Sequence, residues 1–193
     1  MKPILVSGPS ISPVTLAELK GAARVDFNDD DTILQSYLDA AVGYLDGWNG
    51  VLGRALINQE WRVSQSVWPA HDWGLPFGDV SAATVKYLDI ADTDQTLPDS
   101  AFEIVETATG ALLRFKSSFD RPALTRDRSD AVQVTFTTGF GDSPDDVPPS
   151  LKVAIMLLAC HWYENREAAS GVDVRKLPLA VDALITPYRR VLF

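Results

Sequence analysis

The sequence predicts an α+β fold: a helical domain of about four helices, two N-terminal and two C-terminal, with an inserted, mostly antiparallel small β-domain. Three observations carry this. Apolar residues recur at helical spacing from Ile33 to Trp48, and then switch to a period of two after Ile57. Short alternating segments separated by turn-rich pieces fill the stretch that follows. A second helical pattern begins after the pair Pro148-Pro149. The expected division is therefore 1–56 with 147–193 as a discontinuous helical domain, and 57–146 as the inserted β-domain.

The first helix opens at "SPVTLAELKGAARV" (12–25). Thr15 and Glu18 have capping-box spacing: the hydroxyl takes the Glu18 amide, and the carboxylate reaches back to the Thr15 amide. Leu16, Leu19 and Ala23 add a short apolar stripe. The second helix starts at "NDDDT", where Asn28 or one of Asp29, Asp30 and Asp31 caps it and the others oppose the positive helix end. Ile33, Leu34, Tyr37, Leu38, Ala41, Val42, Leu45 and Trp48 line its apolar face. Gly47, Gly50 and Gly53 put its end between Asp46 and Gly53.

In "INQEWRVSQSVW", Ile57, Trp61, Val63 and Val67 alternate with polar residues, as in a half-buried strand. "ATVKYLD" (83–89), "FEIVET" (102–107), "ALLRFK" (111–116) and "AVQVTFTTGF" (131–140) read as further strands. Together they make a small sheet or barrel of about five strands. "SLKVAIMLLACHWYENREAAS" is a helix apolar on almost every face from Val153 to Tyr163, a pattern that calls for burial by several neighbours. After the loop "GVDVRKLP", "LAVDALITPYRRVLF" forms a last short helix, ended or bent near Pro187.

With 193 residues, 46% of them hydrophobic, the chain can bury a real core. Its 17 Lys and Arg against 26 Asp and Glu leave a net charge of −9, which argues against tight, phosphate-neutralising binding of nucleic acid. The single cysteine, Cys160, excludes an intramolecular disulfide and a multi-cysteine zinc site. The N-terminal apolar run is too short for a signal-peptide core. The longest apolar run, Val153 to Cys160, falls far below the roughly 18–20 residues that span a bilayer, so no membrane association is expected.

"CHWYENREAAS" (160–170) gathers a cysteine, a histidine and two glutamates. Adjacent helical residues diverge by about 100°, so Cys160 and His161 are badly placed to share a metal ion. His161 and Glu164 do share a face, but two ligands read more simply as a hydrogen bond or ion pair at a helix surface. Cys160, among Leu157, Leu158 and Trp162, reads as an inert core residue. The aspartates at 29–31, at 92 and 94, and at 142, 145 and 146 suit a helix cap and turns, and none matches an EF-hand loop. No phosphate-binding GxxxxGK[ST], GxGxxG after a strand, GxSxG or HExxH occurs. No catalytic, cofactor-binding or metal-binding residue is assigned, and no cofactor is expected.

The order of segments nevertheless resembles a known family. "LAELKGAARVD", "DDDTILQSYLDAAVGYLDGWNGVLGRALINQEWR", "VQVTFTTGFG", "VPPSLKVAIMLLACHWYENREA" and "LPLAVDALITPYRR" are similar to the head–tail connector (adaptor) proteins of long-tailed bacteriophages and of phage-like gene transfer agents. The resemblance runs from about Val14 to Arg190, and the "HWYENREA" and "LPLAVDALITPYRR" pieces are its most specific parts. It implies a non-enzymatic structural role: a ring, usually of twelve copies, below the portal, assembled in the bacterial cytoplasm and residing in the neck of the particle. Such a ring extends the DNA tunnel and docks a neck, stopper or tail-side protein, while double-stranded DNA passes through without tight binding.

The resemblance also implies candidate contacts with the portal or a neighbouring copy at Trp162, Tyr163, Glu164, Arg166, Glu167, Tyr188, Arg189, Arg190 and Phe193. An ordinary intrachain role for these residues stays open. Two other readings also stay open. One is a carbohydrate- or protein-binding β-module presenting Trp61, Trp68 and Trp73; the other is a hydrolase using Asp residues and His161.

Overall fold

The structure, a computed structural model, describes residues 2–107, 109–165 and 179–190. The chain divides into two compact units. One comprises Ser10–Ile57 and the described part of Phe140–Arg190; the other comprises Asn58–Gly139 with residues 2–9.

The first unit is helical. In α1 (Leu16–Ala23) the capping box forms as expected: Thr15 N donates to Glu18 Oε2 at 2.7 Å, and Glu18 N to Thr15 Oγ1 at 3.2 Å. The helix ends at Arg24 in the left-handed conformation, φ 56°. α2 (Asp31–Leu45) follows Asp30, whose side chain makes no cap hydrogen bond. Negative charge near the helix end comes instead from Asp31, which is held by Lys20 at 2.6 Å. Beyond Leu45 the chain turns back tightly. A Cβ on Gly50 would lie 2.3 Å from the Asp46 carbonyl oxygen, so this turn requires glycine. Asp46 Oδ1 accepts from Leu56 N at 2.7 Å and ties the turn down.

α3 (Pro149–Glu164) begins at the proline pair, and α4 (Leu179–Ile185) runs into a 3-10 turn, Thr186–Tyr188, at Pro187. Leu19, Leu34, Leu38, Leu45, Leu151, Ile155, Leu158, Val181 and Ile185 form the buried core of this unit. Each such aliphatic side chain contributes on the order of 2 kcal/mol, an upper bound because the unfolded chain is partly compact. The expectation that α3 is buried all round does not hold: Val153 and Leu157 remain 41% and 40% exposed. The other three helices pack on the faces carrying Leu151, Ala154, Ile155 and Leu158, and the stripe one turn long through Val153 and Leu157 is left uncovered.

The second unit is β. Its larger sheet has the order β1 (Ile4–Ser7), β2 (Gln59–Gln65), β8 (Val132–Thr138), β4 (Val80–Leu88), β5 (Asp94–Thr96). Its smaller sheet has the order β3 (Trp73–Gly74), β7 (Gly110–Phe115), β6 (Phe102–Thr107), and all pairings are antiparallel. Register places Val63, Val134 and Val85 in one row and Arg62, Thr135 and Thr84 in the next, so alternate rows are buried and solvated. Phe77 packs on Trp61 and Phe136 with ring centroids 5.0 and 6.0 Å apart. Two buried polar side chains are paired: Thr138 Oγ1 donates to Gly78 O at 2.7 Å, and Trp61 Nε1 to Gln59 Oε1 at 3.1 Å.

Among the described residues, eight strands in two sheets take the place of the expected small sheet or barrel of about five strands. The three additional strands lack a periodic signal. β1 is exposed at all four positions, β3 has two residues, and β5 is the polar stretch read as a turn. Backbone pairing creates β5. Asp89 organises the preceding turn, its Oδ1 accepting from Ala91 N at 2.9 Å and Thr93 N at 3.1 Å. These amide hydrogen bonds, Thr93 foremost and with Gln95 assisting, hold the Asp89 carboxyl below the usual carboxylate range. Residues 2–9, assigned to the helical part in the sequence reading, join the β unit through β1.

Candidate functional site

The end of α3 is the stretch the sequence singled out. Trp162 lies half-buried against Tyr44, edge to face, with centroids 6.3 Å apart. The Tyr163 hydroxyl donates to Asp30 Oδ2 at 2.6 Å. Asn165 closes the helix: its Nδ2 donates to the His161 carbonyl at 2.8 Å and lies 3.3 Å from His161 Nδ1. The imidazole is thus engaged by a capping amide, and Glu164 is exposed beside it. Arg166, Glu167 and Phe193 lie outside the described residues.

The C-terminal turn is held by its own unit. Arg54 Nε donates to the Tyr188 carbonyl at 2.9 Å, and Ser150 Oγ to the Tyr188 hydroxyl at 3.2 Å. Phe140 meets the Tyr188 ring at 6.3 Å. Arg189 pairs with Asp182 at 3.0 Å, and Arg190 N donates to Leu52 O at 3.0 Å. The structure therefore brings Tyr188, Arg189 and Arg190 to one strapped turn, and gives each an intrachain partner.

Sequence reading missed a groove of about 410 Å³ beside α3. Val153, Met156 and Leu157 form its floor, Ala22 of α1 and Ala180 of α4 its walls, and His161 and Glu164 its polar end. Leu179, 89% exposed, adjoins Ala180. The available signal was the third apolar face of α3. Cys160 lines the same groove and is half-buried, not a core residue. Burial first, and Glu164 second, push its thiol above the usual cysteine range, which disfavours the thiolate.

The three tryptophans do not form a stacking platform. Trp61 and Trp73 are buried. Trp68 sits among Tyr87, Phe115 and Phe119 at 5.3–5.8 Å, its Nε1 donating to the Pro122 carbonyl at 2.8 Å. On the solvated side of the larger sheet, a shallow hollow is lined by Arg62, Lys86 and Arg128 together with Asp92 and Asp94. Its basic groups are interleaved with acids, and Arg128 is also paired with Asp130 at 2.9 Å. Among the described residues, no group of three or more His, Cys, Asp or Glu is placed to hold a metal ion, and no helix is long and apolar enough to cross a membrane.

No curated protein matches the chain. Solved structures do. A chain in the virion of a native gene transfer agent particle has the same fold, with TM-score 0.80 and 24% identity over 100% of this chain and 97% of that one. A chain in the neck of an empty gene transfer agent particle, computed with C6 symmetry, gives 0.79 and 25% over the same coverage. One in the neck of the native particle, computed with C12 symmetry, gives 0.77 and 25%, again over 100% and 97%. A family model matches residues 13–118 and 121–189, spanning both units, and by that match the chain belongs to the phage gp6-like head–tail connector proteins.

Proposed function

We propose that this protein is a structural adaptor in the neck of a phage or gene-transfer-agent particle. Copies form a closed ring that abuts the portal, continues the DNA channel and offers a docking surface to the next neck or tail component. The observation that carries this reading is whole-chain similarity to neck chains at 25% identity, one of them in a neck of C12 symmetry. The chemistry agrees with it. Of the groups weighed for chemistry in the sequence, His161 is engaged by the capping amide of Asn165, and burial raises the thiol of Cys160 above the usual cysteine range. The role is thus one of shape and contact, not of turnover.

Trp162, Tyr163 and Glu164, with Arg166, Glu167 and Phe193, are the candidate contacts with the portal or a neighbouring copy. Tyr188, Arg189 and Arg190 join them by shaping the strapped turn. The test is genetic. A producing strain lacking this gene is expected to make heads without attached tails, restored when the gene is supplied in trans. Complete, infective or transducing tailed particles in its absence would refute the adaptor role.

A further inference from the structure

We infer that neighbouring copies close the ring by seating β1 of one copy against the α3 groove of the next. This inference rests on the adaptor reading and adds the two surfaces that meet. β1 is the outermost strand of the five-stranded sheet, hydrogen-bonded to β2 alone in the sheet order. Its side chains alternate between the two faces, yet Ile4, Leu5 and Val6 are all apolar and are 55%, 48% and 48% exposed. Edge strands are normally protected by charge, proline or cover. Three exposed aliphatic residues in a row at such an edge call for cover.

The α3 groove is the complementary surface. Val153 and Leu157 sit one turn apart at 41% and 40% exposure, with Leu179 extending the apolar area. Among the described residues of the β unit, the other strongly exposed aliphatics, Val67 and Ile90, stand singly in loops and need no partner. A cyclic ring demands two different patches on every copy, because its contacts are head-to-tail. β1 and the groove lie in different units, so each copy carries one of each.

Charge selects a second copy as the occupant. At −9 each, like chains repel, and contact is least opposed where charge is absent. The run from Val153 to Tyr163 contains no Lys, Arg, Asp or Glu, and residues 1–17 contain no acid and a single Lys. Lys2 beside β1 and Glu164 at the polar end of the groove add one attractive pairing to an apolar contact.

The test uses assembled particles carrying Leu5→Cys and Leu157→Cys in a Cys160→Ser background, treated with a short bismaleimide and run under denaturing conditions. The expected result is a ladder of covalent multimers of this chain that requires both cysteines. A neck ring visible in micrographs with no ladder, or a cross-linked monomer, overturns this inference while leaving the adaptor reading intact. Absence of any ring overturns both. A second pair guards against misfolding. Leu5→Glu and Leu157→Lys singly are expected to reduce ring assembly at least tenfold, and the double variant to recover most of that loss. Singles that assemble like the parent, or a double no better than the worse single, overturn the contact.

Discussion

The Tyr163 hydroxyl and the Asp30 carboxylate, 2.6 Å apart, join the last turn of α3 to the residue before α2. A hydrogen bond to a charged acceptor is worth about 1.5–3 kcal/mol, so Tyr163→Phe is expected to lower stability by that order in urea titration. Glu18 gives a pH signature. The backbone amide of Thr15 first, then its hydroxyl, hold the Glu18 carboxyl below the usual range, with Lys152 assisting. A carboxyl depressed on folding stabilises the protein above its unfolded value, about 4.3, and loses that contribution as pH falls through the folded value. The stability gap between the parent and Glu18→Gln should therefore be full at neutral pH and close as pH drops below about 4. Gly139 tests the backbone. At φ 153° its Cβ position would lie 2.6 Å from Asn58 N. Gly139→Ala is expected to cost about 2 kcal/mol or more, read as a shifted denaturation midpoint.

At the scale of elements, the straps on the C-terminal turn make a specific expectation. Tyr188→Ala removes the contacts with Phe140 and Ser150 and should destabilise the helical unit by about 2 kcal/mol. Truncation after Arg190 keeps those contacts; it should leave the thermal midpoint near the parent's and weaken attachment to the portal. Equal affinity of truncated and full-length chains for portal would remove the docking role of the last three residues. The helices were legible in sequence because their signals are local: a capping box at Thr15, the α2 stripe, prolines opening α3 and Pro187 ending α4. β2 and β8 were legible by alternation. β1, β3 and β5 were not, since backbone pairing makes them, β1 and β3 with strands distant in sequence and β5 with its neighbour β4, and their residues carry no period. The candidate site was half legible for a related reason. The aromatic end of α3 stands out in the sequence, but which face of an all-apolar helix stays open depends on where α1 and α4 pack.

The whole molecule carries a net charge of −9, so twelve copies in a ring like the C12 neck would carry −108. Such charge opposes self-assembly, and the isolated chain is expected to be monomeric or weakly associated by light scattering, with the portal acting as template. It also suits a channel. Every basic residue neutralising a phosphate adds salt-dependent affinity, whereas an acidic or neutral lining repels the duplex over about 8–10 Å at physiological salt. In the sheet hollow, Arg62, Lys86 and Arg128 stand beside Asp92 and Asp94. The chain should thus show no micromolar affinity for double-stranded DNA in a titration at low ionic strength. The most direct test of the central claim is an electron-microscopic reconstruction of the neck from particles in which this chain carries a visible tag. The account expects the tag as a closed ring of copies between portal and tail, with DNA free to run through it. A tag on the head surface or the tail fibres, or an asymmetric single copy at the neck, would contradict it.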